Sequence, residues 1–163
     1  MREPGLRLTA ATAEAMRGLG ARLADALRGA DLSEPFVLGL SGDLGAGKTT
    51  LVGGLLVALG HEGPVRSPTY SLIEPYRLAG RDVYHCDLYR LRDPAELEDL
   101  GLRDLLEGSS VLLVEWPERA GDRLRQPDLA LLLEYDGEGR KLSFVPDSDA
   151  GRRVLAALRL DPA

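Results

Sequence analysis

Short unbroken apolar runs alternate along this chain with stretches in which apolar residues recur every three or four positions, and this alternation predicts an α/β fold. The spacing of Met16, Leu19, Leu23 and Leu27 predicts a helix capped by Thr12 and ended by Gly29. Residues 35–41 (Pro-Phe-Val-Leu-Gly-Leu-Ser) are apolar and short enough for a buried strand, and 49–59 return to helical spacing. In 65–72, Pro68 breaks helix and favours extended backbone, so the segment reads as strand and loop. A short strand follows at 83–86. Asp93 and Pro94 then supply an N-cap and a first-turn proline for an acidic helix toward Leu100. Residues 111–114 are a bare apolar strand ending at Glu115. The segments 129–134 and 141–145 flank Asp136-Gly137-Glu138-Gly139 and read as an antiparallel hairpin, with a last helix at 150–158. Together these elements predict a mostly parallel central sheet flanked by helices, with a C-terminal antiparallel hairpin. No repeat, linker or low-complexity stretch divides the chain, so one domain is expected over residues 1–163.

Composition narrows the function. With 163 residues, 44% hydrophobic and 28% charged, the chain suits a globular domain that folds alone. A net charge of -6 argues against unguided binding to a polyanion such as RNA, so direct nucleic-acid binding is not the default expectation. Cys86 is the only cysteine, which excludes an intrachain disulfide and a cysteine-rich metal site, and two histidines are too few for a zinc centre. No apolar stretch reaches transmembrane length and residues 1–8 lack the apolar core of a signal peptide, so a cytoplasmic protein without membrane association is expected.

The chemistry concentrates at residues 42–49, Gly-Asp-Leu-Gly-Ala-Gly-Lys-Thr, a complete G-x-x-x-x-G-K-[ST] phosphate-binding loop between a predicted strand and a predicted helix. Gly42, Asp43, Leu44, Gly45, Ala46 and Gly47 would turn backbone N–H groups around a phosphate chain, with Thr50 just inside the helix. Lys48, one of only two lysines against 18 arginines, supplies a point charge for the outer phosphates, and the Thr49 hydroxyl is a ligand for Mg²⁺. This is the pattern of a P-loop NTPase and of a nucleoside triphosphate site. Such a metal needs a carboxylate at the end of a neighbouring buried strand, and Glu115 and Asp87 both end strands. For Glu115 the bland alternative is a solvated strand terminus; for Asp87 it is pairing with Arg90 or capping the next turn. Thr69, in Ser67-Pro68-Thr69, either senses the terminal phosphate or belongs to an ordinary proline turn. Glu96, Glu98 and Asp99 read as a solvated helix face or a docking face for a partner, and Trp116 either packs beneath the site or faces a partner. His61 and His85 read as structural, because phosphoryl transfer needs positioning and charge more than a neutral-pH base.

In this order, residues 42–50, 67–70 (Ser-Pro-Thr-Tyr), 84–91 (Tyr-His-Cys-Asp-Leu-Tyr-Arg-Leu) and 115–118 (Glu-Trp-Pro-Glu) closely resemble the TsaE (YjeE) family. These are small bacterial ATPases needed to make threonylcarbamoyladenosine in tRNAs that read codons beginning with adenine. The resemblance spans nearly the whole chain. It implies an ATPase that works with a sugar-kinase-like transferase subunit and its paralogous partner, resetting that complex between turnovers without itself transferring the modification. By position it assigns Lys48 to the phosphates of ATP, Thr49 to Mg²⁺, Glu115 to the metal and its water, Asp87 to the second functional acid, and Thr69 to a switch-like loop. Cys86 and Tyr70 stand where phenylalanine is common in the family, and the segment between Gly20 and Gly42 is longer than usual. Arg140 follows the hairpin turn and is placed to reach the nucleotide.

Two other readings of the motif stay open from the residues. A small-molecule kinase would use Arg119, Arg123 and Arg125 as a lid, and a nucleotide-dependent switch would turn over negligibly. Neither lysine lies in the Asn-Lys-x-Asp element that usually selects guanine, which favours ATP over GTP.

Overall fold

Strand β2 (Phe36–Ser41) buries five of its six residues and is therefore fit to pair on both sides. The computed structural model describes residues 4–68 and 72–160, and in it β2 lies at the centre of a seven-stranded sheet. The other strands are β1 (Leu6–Ala10), β3 (Ile73–Leu78), β4 (Arg81–Asp87), β5 (Val111–Glu115), β6 (Leu129–Asp136) and β7 (Gly139–Pro146). Their order across the sheet is β1-β7-β6-β2-β5-β4-β3.

The sheet is mixed, which corrects the expectation of a mostly parallel one. Three pairings are parallel (β6 with β2, β2 with β5, β5 with β4) and three are antiparallel (β1 with β7, β7 with β6, β4 with β3). The physical cause is loop length. Ala79 (φ 52) and Gly80 (φ 75) make a two-residue left-handed turn between β3 and β4, and such a turn can join only antiparallel neighbours. Gly137 (φ 60) and Glu138 likewise make a two-residue turn between β6 and β7, with only the glycine left-handed, where the hairpin was expected. Strands β1 and β3 had no counterpart in the sequence reading; the extended run expected at 65–72 has no regular structure over 65–68, and the strand begins at Ile73.

Helices α1 (Ala13–Gly29), α2 (Lys48–Ala58) and α5 (Asp149–Leu160) cover one face and enclose the larger core with Phe36, Leu38, Leu40, Leu113, Leu131 and Phe144. Thr12 caps α1, its hydroxyl accepting from Ala15 N at 3.1 Å. The opposite face is covered by two single-turn helices, α3 (Glu96–Asp99) and α4 (Leu102–Leu105), and by 3-10 turns over Pro117–Arg123. The acidic helix expected toward Leu100 is the single turn α3, whose C-cap is Leu100, and Gly101, at φ 68, separates it from α4. The three central parallel pairings bring the carboxyl ends of β2, β5 and β4 to one edge, where Leu40 is in register with Glu115 and Glu115 with Asp87. Among the described residues no helix is long and apolar enough to cross a membrane.

Candidate functional site

The segment 42–47 leaves the end of β2 and turns directly into α2, with Gly47 (φ 109) at the helix N-cap and Gly45 at φ 81. An L side chain rarely adopts such backbone, so the glycines permit the turn. The loop is held from outside by the β6–β7 hairpin. Tyr135 donates its hydroxyl to Leu44 O at 2.6 Å, and Arg140 donates to Gly45 O at 3.1 Å and to Ala46 O at 3.2 Å. Arg140 also stacks on the Tyr135 ring, 4.2 Å from its centroid. Three successive carbonyls are thus drawn toward the hairpin. The first-turn N–H groups of α2, which have no intrahelical acceptors, are left to face an anion.

Lys48 is buried, only 5% exposed, although it is a lysine at a helix start. Its ammonium donates to Gly42 O and to Asp43 O, the latter at 3.0 Å, and lies 4.4 Å from the centre of the Trp116 ring. Burial pulls its pKa below the usual lysine value, against the opposing charges of Glu115, Asp87, Glu118 and Asp43. Trp116 holds a left-handed backbone (φ 60, ψ 49), fixed by its N–H on Leu40 O at 3.0 Å. For a bulky residue this is a strained conformation that surrounding structure must over-determine.

Thr49 and Glu115 meet directly. The Thr49 hydroxyl lies 2.9 Å from Glu115 Oε1 and 3.0 Å from Oε2, and 2.7 Å from Ser67 Oγ. A carboxylate only accepts, so the Thr49 proton goes to Glu115 and Ser67 donates to Thr49. On its far side Glu115 Oε2 is 2.6 Å from His85 Nε2, with both side chains buried. A cavity of about 210 Å³ is lined by Gly45, Gly47, Lys48, Thr49, Thr50, Asp87, Tyr89, Glu115 and Trp116, with exposed Leu44 at its rim. A second cavity, about 170 Å³, lies across the loop between Ala10–Ala13, Met16, Ala46, Thr50, Glu138 and Arg140.

Of the residues picked out from the sequence, Gly42 to Thr50, Glu115 and Asp87 therefore gather at one sheet edge. Asp87 also accepts from Tyr89 N at 3.0 Å, the turn-capping role weighed as its alternative. Thr69 lies outside the described residues. Arg123 is engaged by Glu98 and Asp122, and Arg125 by Asp128 and Pro35 O, both away from the cavity. Arg119 rests on Tyr89 and Trp116, 5.0 and 5.3 Å from the ring centres. Tyr135, Ser67 and His85 were not read as site residues. For His85 the alternation of β4 was a usable signal, since it puts 85 and 87 on one face. His61, by contrast, packs edge-on against Tyr76.

Comparison with known proteins shows the family to which the chain belongs. A family model described as "Threonylcarbamoyl adenosine biosynthesis protein TsaE" matches residues 10–142. The tRNA threonylcarbamoyladenosine biosynthesis protein TsaE of Haemophilus influenzae is 39% identical over 142 residues, covering 87% of this chain and 90% of that protein. Its namesake from Streptomyces coelicolor is 43% identical over 122 residues, 73% of this chain and 78% of that protein. A crystal structure of YdiB from Bacillus subtilis superposes with a TM-score of 0.77 at 27% identity, covering 94% of this chain and 93% of that one.

Proposed function

We propose, for a chain that belongs to the TsaE family, that it is the Mg²⁺-dependent ATP-binding and ATP-hydrolysing subunit of the machinery that forms threonylcarbamoyladenosine in tRNA. The observation that carries the reading is the convergence of Lys48, Thr49 and Glu115 at the mouth of a glycine loop, where the parallel strands end. Open α/β sheets bind ligands at that edge.

The donor set suits the metal. Thr49 Oγ1, the Glu115 carboxylate and Ser67 Oγ are all hard oxygen ligands, and Mg²⁺ characteristically takes one or two carboxylates and completes its shell with phosphate oxygens and water. When bound, Mg²⁺ would neutralise charge on the outer phosphate oxygens. Lys48 would exchange its loop carbonyls for those oxygens, the α2 N-terminus and glycine loop would hold the phosphate chain, and Trp116 would shield Lys48 from water. Glu115, bonded to Thr49, would hold the metal side and its water, and Asp87, on the same cavity wall, would serve as the second acid.

With a net charge of -6 the chain is poorly suited to grip tRNA, so its effect passes through protein contacts with the transferase subunit and its paralogous partner, in the cytoplasm, by resetting that complex between turnovers. Phosphate release, measured with and without purified partner subunits, tests this. Lys48→Ala should lower turnover by roughly 10²–10³-fold or more, as loss of a charge aimed at the developing transition state does. Glu115→Ala should cut hydrolysis strongly while ATP still binds, since the backbone contacts survive. Near-normal ATPase activity of Lys48→Ala in the assembled complex would overturn the assignment, and full activity of Glu115→Ala with loss in Asp87→Ala would reverse the roles of the two acids.

A further inference from the structure

We propose that His85 is a positioning residue for Glu115, locking that carboxylate in the one orientation that serves the metal side of the site; this rests on the reading of Thr49 and Glu115 as the Mg²⁺ side. The pair is buried, His85 at 0% and Glu115 at 2% exposure, with Nε2 and Oε2 2.6 Å apart. Because a carboxylate oxygen only accepts, the imidazole proton facing it sits on Nε2. The other ring nitrogen, Nδ1, is buried and has no hydrogen-bond partner among the described residues. Folds avoid an unpaired buried nitrogen, and a position that needed only bulk would be filled by an apolar side chain without that cost. The imidazole is therefore retained for what Nε2 does.

What it does follows from the strand register. Leu113 is directly opposite His85 on the neighbouring parallel strand, so Glu115, two residues on, is its diagonal neighbour on the same face. His85 takes Oε2 from behind while Thr49 engages the carboxylate from in front, with Oε1 at 2.9 Å. When the Thr49 hydroxyl turns to an ion, its hold on Glu115 is released and only His85 remains to fix the carboxylate plane. Residues that hydrogen-bond a metal-side carboxylate are worth roughly 10–100-fold in metal affinity.

The test is a calorimetric titration of a non-hydrolysable ATP analogue into the full chain, once with Mg²⁺ and once with EDTA, for wild type, His85→Gln, His85→Asn and His85→Leu. A glutamine amide nitrogen can occupy the place of Nε2, whereas that of asparagine falls at the place of Nδ1, short of Glu115. His85→Gln should keep the Mg²⁺-dependent gain in affinity, His85→Asn and His85→Leu should lose roughly tenfold or more of it, and affinity in EDTA should be the same in all four. If His85→Leu does not fold, the Gln and Asn pair decides. Wild-type Mg²⁺ gain in Asn or Leu, or equal losses with and without Mg²⁺, would overturn the inference. A wild-type protein that gains nothing from Mg²⁺ would instead overturn the metal reading beneath it.

Discussion

Helices α1 and α2 approach backbone to backbone at two glycines, and replacing either by alanine should destabilise the protein even though both lie inside helices. A Cβ on Gly54 would fall 2.1 Å from Arg17 O and 2.7 Å from Arg17 Cα; one on Gly20 would fall 2.2 Å from Leu51 O. The obstructing atoms are helix backbone, so no side chain can swing aside, and the helices must part by roughly 1 Å, a gap that forfeits a quarter to a half of each dispersion contact across it. Alanine gains about 1 kcal/mol over glycine in helix propensity. Overpacking costs about 1–3 kcal/mol and more where nothing yields. At these distances the clash wins, and a net loss of about 2 kcal/mol is expected, which for a chain of this size lowers the thermal midpoint by about 4–8 °C. The control is Gly18→Ala on the exposed face of α1, where a Cβ meets nothing within 4 Å; it should gain about 0.5–1 kcal/mol. Thermal and urea unfolding of the three variants separate the cases. Gly54→Ala matching Gly18→Ala in stability would refute the claim that backbone contact fixes the α1–α2 spacing. That spacing matters to the site, because α2 begins with Lys48 and Thr49.

Relative to Lys48→Met, the nucleotide-free wild type should gain stability as pH rises, because burial lowers the folded-state pKa of Lys48 and so penalises the charged form. That penalty is full below the folded pKa, shrinks as pH rises through it, and vanishes above the unfolded value of 10.5, so the wild type should gain on the variant in alkaline buffer; a wild type that lost ground to the variant with rising pH would contradict the sign. Trp116, the only tryptophan, lies 4.4 Å from the Lys48 ammonium, so its fluorescence should change when nucleotide draws Lys48 away. Unchanged emission at saturating nucleotide, with binding established by calorimetry, would mean that Lys48 does not leave the ring.

What the sequence disclosed depended on range. The glycine loop, its strand and its helix were legible because their pattern is contiguous in residues 36–58. Glu115 was legible because four apolar residues aim it at a sheet edge. Strand β1 was not: Leu6–Ala10 does alternate apolar and polar residues, but over only five positions, and it becomes a strand by pairing with β7, some 130 residues away in sequence. Strand β3 carries Pro75, which a central strand would not tolerate, and it lies at the sheet edge where proline is permitted. The clamp of Tyr135 and Arg140 on the loop carbonyls and the backing of Glu115 by His85 were hidden for the same reason, since each joins segments that only the sheet order brings together.

The resting site also explains why triphosphate and metal would be needed together. Lys48 is bound to two carbonyls of its own loop, and Thr49 to Glu115 and Ser67, so each group a ligand would recruit already has a partner. An anion that took Lys48 alone would leave Gly42 O and Asp43 O without their donor. A cation that took Thr49 and Glu115 alone would add positive charge beside a buried ammonium. Arriving together, a terminal phosphate compensates Lys48 and the ion compensates Glu115, and the exchange of partners leaves no uncompensated charge in the cavity. On the proposed reading, the same geometry that ties the site up at rest therefore selects for the metal–nucleotide complex over either component.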